Sequence, residues 1–233
     1  MEYPGGVEVE YPEWRWRILA EKRRKALKVM RVLEGLSSPV IVHGSVARGD
    51  VDRDSDVDIV VLEPVPASLV ELALERAGFR IVYREIVQAT PSNTPKVYFY
   101  LDHWEERVVS VPLAPLRPRE REFYRWGGEL NAKGLEEGKR VPGVDKSLTL
   151  IIPTSRGHVE VEVEGNEHLV AKTLGVSLET VEERVRVLTR RRIHGRTGVY
   201  VKHPIPPGRS IEEEVERLAR EYPGFRRILS KIL

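Results

Sequence analysis

Apolar positions recur at helical spacing over residues 12–36, where Trp14, Ile18, Leu19, Leu27, Met30 and Leu33 form one stripe. Pro12 suits the first position of that helix. The period then shortens. Residues 39–43 and 56–62 are apolar runs of strand length, and 79–88, 96–101 and 107–113 are rich in β-branched and aromatic residues. Between them 67–77 returns to the helical period, with Leu69, Leu72, Ala73 and Ala77 on one side and Gly78 as the stop. This order predicts an α+β architecture, a mixed sheet with helices on one face.

Residues 114–145 read differently. Pro115, Arg117, Pro118, Arg119, Arg121 and Arg125 are followed by Gly127, Gly128, Gly134, Gly138, Pro142 and Gly143, a composition that predicts a basic linker with a short helix near 118–125. Its alternatives are a solvated connector or a basic lip over an anionic ligand. Apolar alternation in Leu148, Leu150, Ile152 and again in Val159, Val161, Val163, with Arg156-Gly157 between, predicts a hairpin over 147–164. Helices are expected around 166–174 and 178–192, a strand over 198–201, and a last helix over 211–221 opened by Ser210 and Glu213. The expected domains are 1–115, a linker at 116–146, and 147–233.

The candidate chemistry lies between the first two strands. Ile41-Val42-His43 runs into Gly44-Ser45, and Asp56-Val57-Asp58-Ile59 opens the next strand. Alternation along a strand turns Asp56 and Asp58 to one face. Two carboxylates there invite a divalent cation. Gly44 and Ser45 offer backbone N–H groups and a hydroxyl to phosphate oxygens. Together they predict a site for Mg²⁺ and a nucleoside triphosphate. His43 is either a packed strand residue or a phosphate contact.

The segment from His43-Gly44-Ser45 to Asp56-Val57-Asp58-Ile59, with ten residues between, resembles the signature of the DNA polymerase β-like nucleotidyltransferase superfamily. The Gly44-Ser45-Val46-Ala47-Arg48-Gly49 form looks like minimal nucleotidyltransferases and archaeal CCA-adding enzymes, and the resemblance covers about 38–115. It implies Asp56 and Asp58 as catalytic metal ligands for Mg²⁺ or Mn²⁺, with Gly44, Ser45 and Arg48 binding the NTP. It also implies a third acid on a later strand. The matching position here is Ser110, a departure from the pattern; Glu85 on the 79–88 strand and Asp102 after 96–101 are the substitutes, Glu85 being preferred.

Ala171 to Val185, with Gly175 at a turn and Ser177 as a cap, resembles a helix-turn-helix of the winged type, with 196–201 as its wing. The first turns of its second helix carry Glu179, Glu182 and Glu183. Basic residues come later, at Arg184, Arg186, Arg190, Arg191, Arg192 and Arg196, either a nucleic-acid grip or a solvated helix end. Lys22-Arg23-Arg24-Lys25 has the same two readings, with a solvated face preferred.

Composition narrows the setting. Net charge is +2, charged residues are 32%, and there is no cysteine, so thiolate metal sites and disulfides are excluded. High charge without cysteine fits a thermophile's cytoplasmic protein. No secretory signal and no membrane span is visible. Two functions follow as expectations. One is metal-dependent transfer of an NMP from an NTP to a hydroxyl of a nucleic acid or protein. The other is a catalytically weak or inactive nucleotide-binding regulator with a nucleic-acid-binding C-terminal domain. A bare protein-interaction module fits less well, given the extra length.

Overall fold

The computed structural model describes residues 5–104, 106–195 and 198–230. In chain order, β1 (Val7–Glu10), α1 (Glu13–Leu33), β2 (Val40–His43), α2 (Ser45–Arg48) and β3 (Val57–Val61) come first. Next are α3 (Ala67–Arg76), β4 (Tyr83–Gln88), β5 (Lys96–Tyr100) and β6 (Arg107–Pro112). Then come α4 (Pro118–Gly127), β7 (Glu129–Asn131), α5 (Ala132–Glu136) and β8 (Gly143–Val144). The chain continues through β9 (Thr149–Pro153), β10 (Gly157–Glu162), α6 (Glu167–Leu174) and α7 (Leu178–His194). It closes with β11 (Val201–Pro204), α8 (Ile211–Glu221) and α9 (Pro223–Leu229). The α+β class is as expected.

Two compact units share these elements. One holds Met1–Leu27, Val42–Ser55 and Arg121–Thr197; the other holds Lys28–Ile41, Asp56–Glu120 and Gly198–Leu233. Neither is a contiguous stretch, so domain boundaries at 115 and 146 do not describe the molecule. Strand pairing explains why. β1 pairs with β10, and β11 pairs with β4, so each end of the chain is recruited by a distant segment.

The second unit is built on a mixed sheet in the order β11-β4-β5-β6-β3-β2. β3 and β6 run parallel, whereas β6-β5, β5-β4 and β4-β11 are antiparallel. One sheet face is apolar: Val57, Ile59, Ile86, Val97, Phe99, Val109 and Val111 are fully buried. Val70 and Leu74 of α3 and Ile211 and Leu218 of α8 are buried in the same unit. The opposite face carries Asp58, Ser110, Tyr98, Tyr100, Tyr83 and Glu85, as the registers require.

Glu120 pins the β4–β5 connection in this unit. Its carboxylate accepts from the Thr94 N–H (2.8 Å), the Thr94 hydroxyl (2.7 Å), the Asn93 amide (3.1 Å) and the Arg117 N–H (3.0 Å). Burial alone would raise its pKa, but the bonds from Thr94, Arg117 and Asn93 outweigh it and hold the value at about 2. A depressed carboxylate stabilises the fold above its unfolded pKa and loses that contribution as pH falls through the folded one. Glu120→Gln is therefore expected to cost about 2–3 kcal/mol at pH 7. In urea titrations that gap from the parent should close between about pH 5 and pH 2.

The first unit has an antiparallel sheet, β1-β10-β9-β8. The hairpin forms with Val161 opposite Leu150 and Val159 opposite Ile152. Its core gathers Trp126, Val144, Leu148, Leu150, Val161, Val163, Val170, Val176 and Val181. The segment expected as a linker is thus structural. Trp126, Leu130 and Leu135 are buried, and the Asn131 side chain caps α5 by accepting the Gly134 N–H at 2.8 Å. Glycine and arginine content suggested a connector; the few large apolar residues among them decided otherwise. No helix among the described residues is long and apolar enough to cross a membrane.

Candidate functional site

In the second unit, Asp56 stands just before β3 and Asp58 lies within it. Both are exposed, while Val57, Ile59 and Val61 between and beyond them are buried. The Val57 N–H donates to the Glu106 carbonyl at 2.6 Å, fixing where β3 joins β6. Buried valines anchor one side of the strand, so the carboxylates must take the other. Two outward carboxylates on one strand fit a hard cation such as Mg²⁺, which takes one or two carboxylates and keeps waters or phosphate oxygens. Among the described residues no set of three or more His, Asp or Glu gathers as a metal cage.

Ser110 shares their face. It lies opposite Val60, two residues along from Asp58 on the adjacent strand. The sequence match thus lands on the expected strand with a hydroxyl in place of a carboxylate. Glu85 does not substitute for it. β4 is separated from β3 by β5 and β6, so Glu85 is about 14 Å from the strand bearing Asp58 at ordinary strand spacing. Its carboxylate, 4% exposed, accepts from Tyr100 Oη (2.5 Å) and Tyr83 Oη (3.3 Å) and pairs with Lys202 Nζ (3.7 Å). Asp102 does not substitute either. It accepts the N–H groups of Glu106 and Arg107 and the Arg107 Nε, the work of a turn former.

The Gly44-Ser45 turn belongs to the first unit. Gly44 has φ 81° and ψ −144°, a backbone conformation open to glycine alone. Its N–H is not bare: it donates to the Gly128 carbonyl at 2.9 Å. Its carbonyl accepts from the N–H groups of Ala47 and Arg48, starting the single turn of α2. Ser45 is half-buried.

Arg48 is not the phosphate-binding cation expected from the sequence. It is 6% exposed and forms two bonds to Asp50, Nε to Oδ1 at 3.0 Å and Nη2 to Oδ2 at 2.8 Å. Nη1 donates to the carbonyls of Gly127 (2.6 Å) and Val144 (3.4 Å). This guanidinium is spent on tying 44–50 to the segment after α4. The backbone there approaches so closely that a Cβ at Gly128 would stand 2.7 Å from Arg48 Cγ.

His43 packs its ring on Phe123 and Tyr124, with centroids 5.2 and 5.3 Å away. A Cβ at Gly127 would overlap its Nε2. Arg23 donates to the carbonyls of Val46 and Ala47, both at 3.1 Å. Burial, then repulsion from Arg140, lowers its pKa to about 10. Lys22 and Arg23 are therefore buried, and the run 22–25 is not a uniformly solvated face.

The helix pair α6–α7 forms as expected. Gly175 adopts the left-handed conformation at the end of α6, and the Ser177 hydroxyl accepts the Thr180 N–H at 3.3 Å. Of the segment expected as a wing, the described residues 198–200 form no strand. Strand β11 begins at Val201, opposite Gln88 of β4, in the other unit. Arg196 and Thr197, expected in the wing and the basic cluster, lie outside the described residues. Arg186, Arg190, Arg191 and Arg192 are exposed, whereas Arg184 turns inward over Phe123. A groove of about 710 Å³ beside Arg186 and Arg190 also bears Glu164, Glu167 and Glu182, so the surface is mixed in charge.

Comparison with known proteins adds one finding. Residues 23–118 match the family model of the nucleotidyltransferase domain. The match covers less than half of the 233 residues, and it includes Gly44, Ser45, Asp56 and Asp58. It supports the nucleotidyltransferase superfamily for this portion of the chain. No curated protein and no solved structure matches.

Proposed function

We propose that the chain is a metal-dependent nucleotidyltransferase that moves an NMP from an NTP to a hydroxyl of a nucleic acid or protein. The nucleotidyltransferase domain match supports NMP transfer in general. The observation that carries the finer reading is the exposed pair Asp56 and Asp58, raised on a strand whose alternate residues are buried. They would hold Mg²⁺ or Mn²⁺, which when bound lowers the pKa of an acceptor hydroxyl and offsets the charge of departing pyrophosphate. Gly44 and Ser45 are the proposed phosphate-binding turn, with the Ser45 backbone and hydroxyl facing phosphate, since the Gly44 N–H is already bonded to Gly128. In the reaction the acceptor oxygen bonds to the α-phosphorus, the bond to the β-phosphate oxygen breaks, and pyrophosphate leaves.

Ser110 favours a second reading. A hydroxyl of ordinary pKa is a poor base for the acceptor proton. A chain so equipped binds nucleotide and turns it over slowly, as a regulator. Exposed Arg190, Arg191 and Arg192 are the proposed contacts to nucleic acid under either reading. Cytoplasmic residence, drawn from the cysteine-free composition, is part of the proposal.

Thermal shift with each Mg·NTP, followed by an assay of pyrophosphate release, tests both. The transferase reading expects a raised melting temperature and Mg²⁺-dependent release. A shift without release leaves the regulator. Neither effect with any NTP removes both.

A further inference from the structure

Among the described residues Arg184, like Arg15, has a buried Nε without a hydrogen-bond partner, unlike the other inward arginines of the first unit. Arg48 and Arg121 each face a carboxylate, and Arg140 donates to the carbonyls of Gly157 and Thr154. Among the described residues Arg184 makes no hydrogen bond and no ion pair, and its Nε is shut away from solvent. Burial and the nearby Arg191 both disfavour its charge, with Glu183 as the partial counterweight.

Its position is nevertheless fixed. Glu122 of α4 accepts from the Ser177 N–H (3.2 Å), the Ser177 hydroxyl (2.7 Å) and the Thr180 hydroxyl, locking the start of α7. Arg184 lies four residues after Thr180, on the same helix face. It therefore meets Phe123, the residue after Glu122, with its guanidinium carbon 5.0 Å above the ring centre. Phe123 in turn touches the ring of His43, which precedes Gly44 directly. A forked donor is thus held two ring contacts from the turn, without an acceptor among the described residues.

We infer that Arg184 is the cation of a phosphate subsite beside Gly44-Ser45, where it receives the triphosphate of the nucleotide. The inference rests on the function proposed above and assigns to α7 the role that Arg48 cannot fill. A planar fork with unspent donors matches phosphate oxygens better than a point charge does.

Calorimetric titration of the full chain with inorganic tripolyphosphate and with Mg·ATP tests it, using Arg184→Ala, Arg184→Lys and the control Arg76→Ala, an exposed arginine at the end of α3. The expected result is a loss of about tenfold or more in affinity for both ligands with Arg184→Ala. Arg184→Lys should recover part of the loss, and Arg76→Ala should match the parent. If Arg184→Ala fails to fold, Arg184→Lys and Arg184→Gln are read instead, with salt slopes shallower than the parent's. Parental affinities in the Arg184 variants overturn the subsite and leave the transferase reading intact. Arg184-dependent tripolyphosphate binding without any pyrophosphate release keeps the subsite and removes the transferase. No binding of either ligand by the parent removes both. Loss confined to an oligonucleotide, with tripolyphosphate binding unchanged, also overturns the subsite.

Discussion

Asp58→Asn is expected to lower pyrophosphate release by about a thousandfold or more, equivalent to about 4 kcal/mol of transition-state stabilisation. Asp56→Asn should behave alike. Both side chains are exposed, and the apolar anchors of β3 are Val57, Ile59 and Val61, so neither change removes a core contact. Melting temperatures should stay close to the parent's, and the loss should persist at saturating NTP. Glu85→Gln is the internal control. Its carboxylate is engaged with two tyrosines and Lys202, three strands from Asp58, so turnover should remain within about threefold of the parent while stability falls. A Glu85 variant as inactive as Asp58→Asn would make Glu85 part of the catalytic site. An Asp58 variant with parental turnover would remove the metal-dependent mechanism.

The second large effect concerns folding. Arg48→Met should destabilise the chain by about 3–5 kcal/mol, because it leaves the Asp50 carboxylate without its cation and two carbonyls without their donor. Side-chain exposures of 7% for Arg48 and 12% for Asp50 place the pair out of reach of solvent screening. Against a typical stability of about 5–15 kcal/mol this is a large fraction. Urea unfolding gives the value directly. The double variant Arg48→Met, Asp50→Asn should recover part of it, since the stranded charge is then gone. A phosphate-binding Arg48 predicts the reverse pattern: unchanged unfolding midpoint and weakened NTP affinity.

These two cases mark the difference between what residue order reveals and what it hides. Asp56 and Asp58 were legible because a strand's two-residue period is local: Val57 and Ile59 must go inward, so the carboxylates go outward wherever the strand lies. Gly44 was legible for a similar reason, since a glycine after an apolar run announces a backbone turn that other residues resist. Arg48 looked like a ligand because arginine near a glycine turn has that chemistry. Nothing nearby in the chain showed that Gly127 and Val144, far along the sequence, would supply carbonyls for it. Ser110 fell on the right strand by pattern, and the parallel pairing of β3 with β6 gave that match its meaning. Glu85 was chosen for being on a strand, and only the order of strands shows how far away that strand is.

Element type and the outward pair of aspartates were therefore determined by the sequence alone, through periodicities that span a few residues and act on any chain. Tertiary structure decided the partition into units, the fate of the 116–146 stretch, the pairing of β11 with β4, and which arginines are spent. Those outcomes depend on which distant segments complete a strand ladder or cover a buried donor. Backbone pairing energy is nearly indifferent to side-chain identity, so β11 beside β4 and β1 beside β10 leave only faint marks in residue order. A guanidinium's role follows the acceptors that packing brings to it, and those lie as many as 96 positions away.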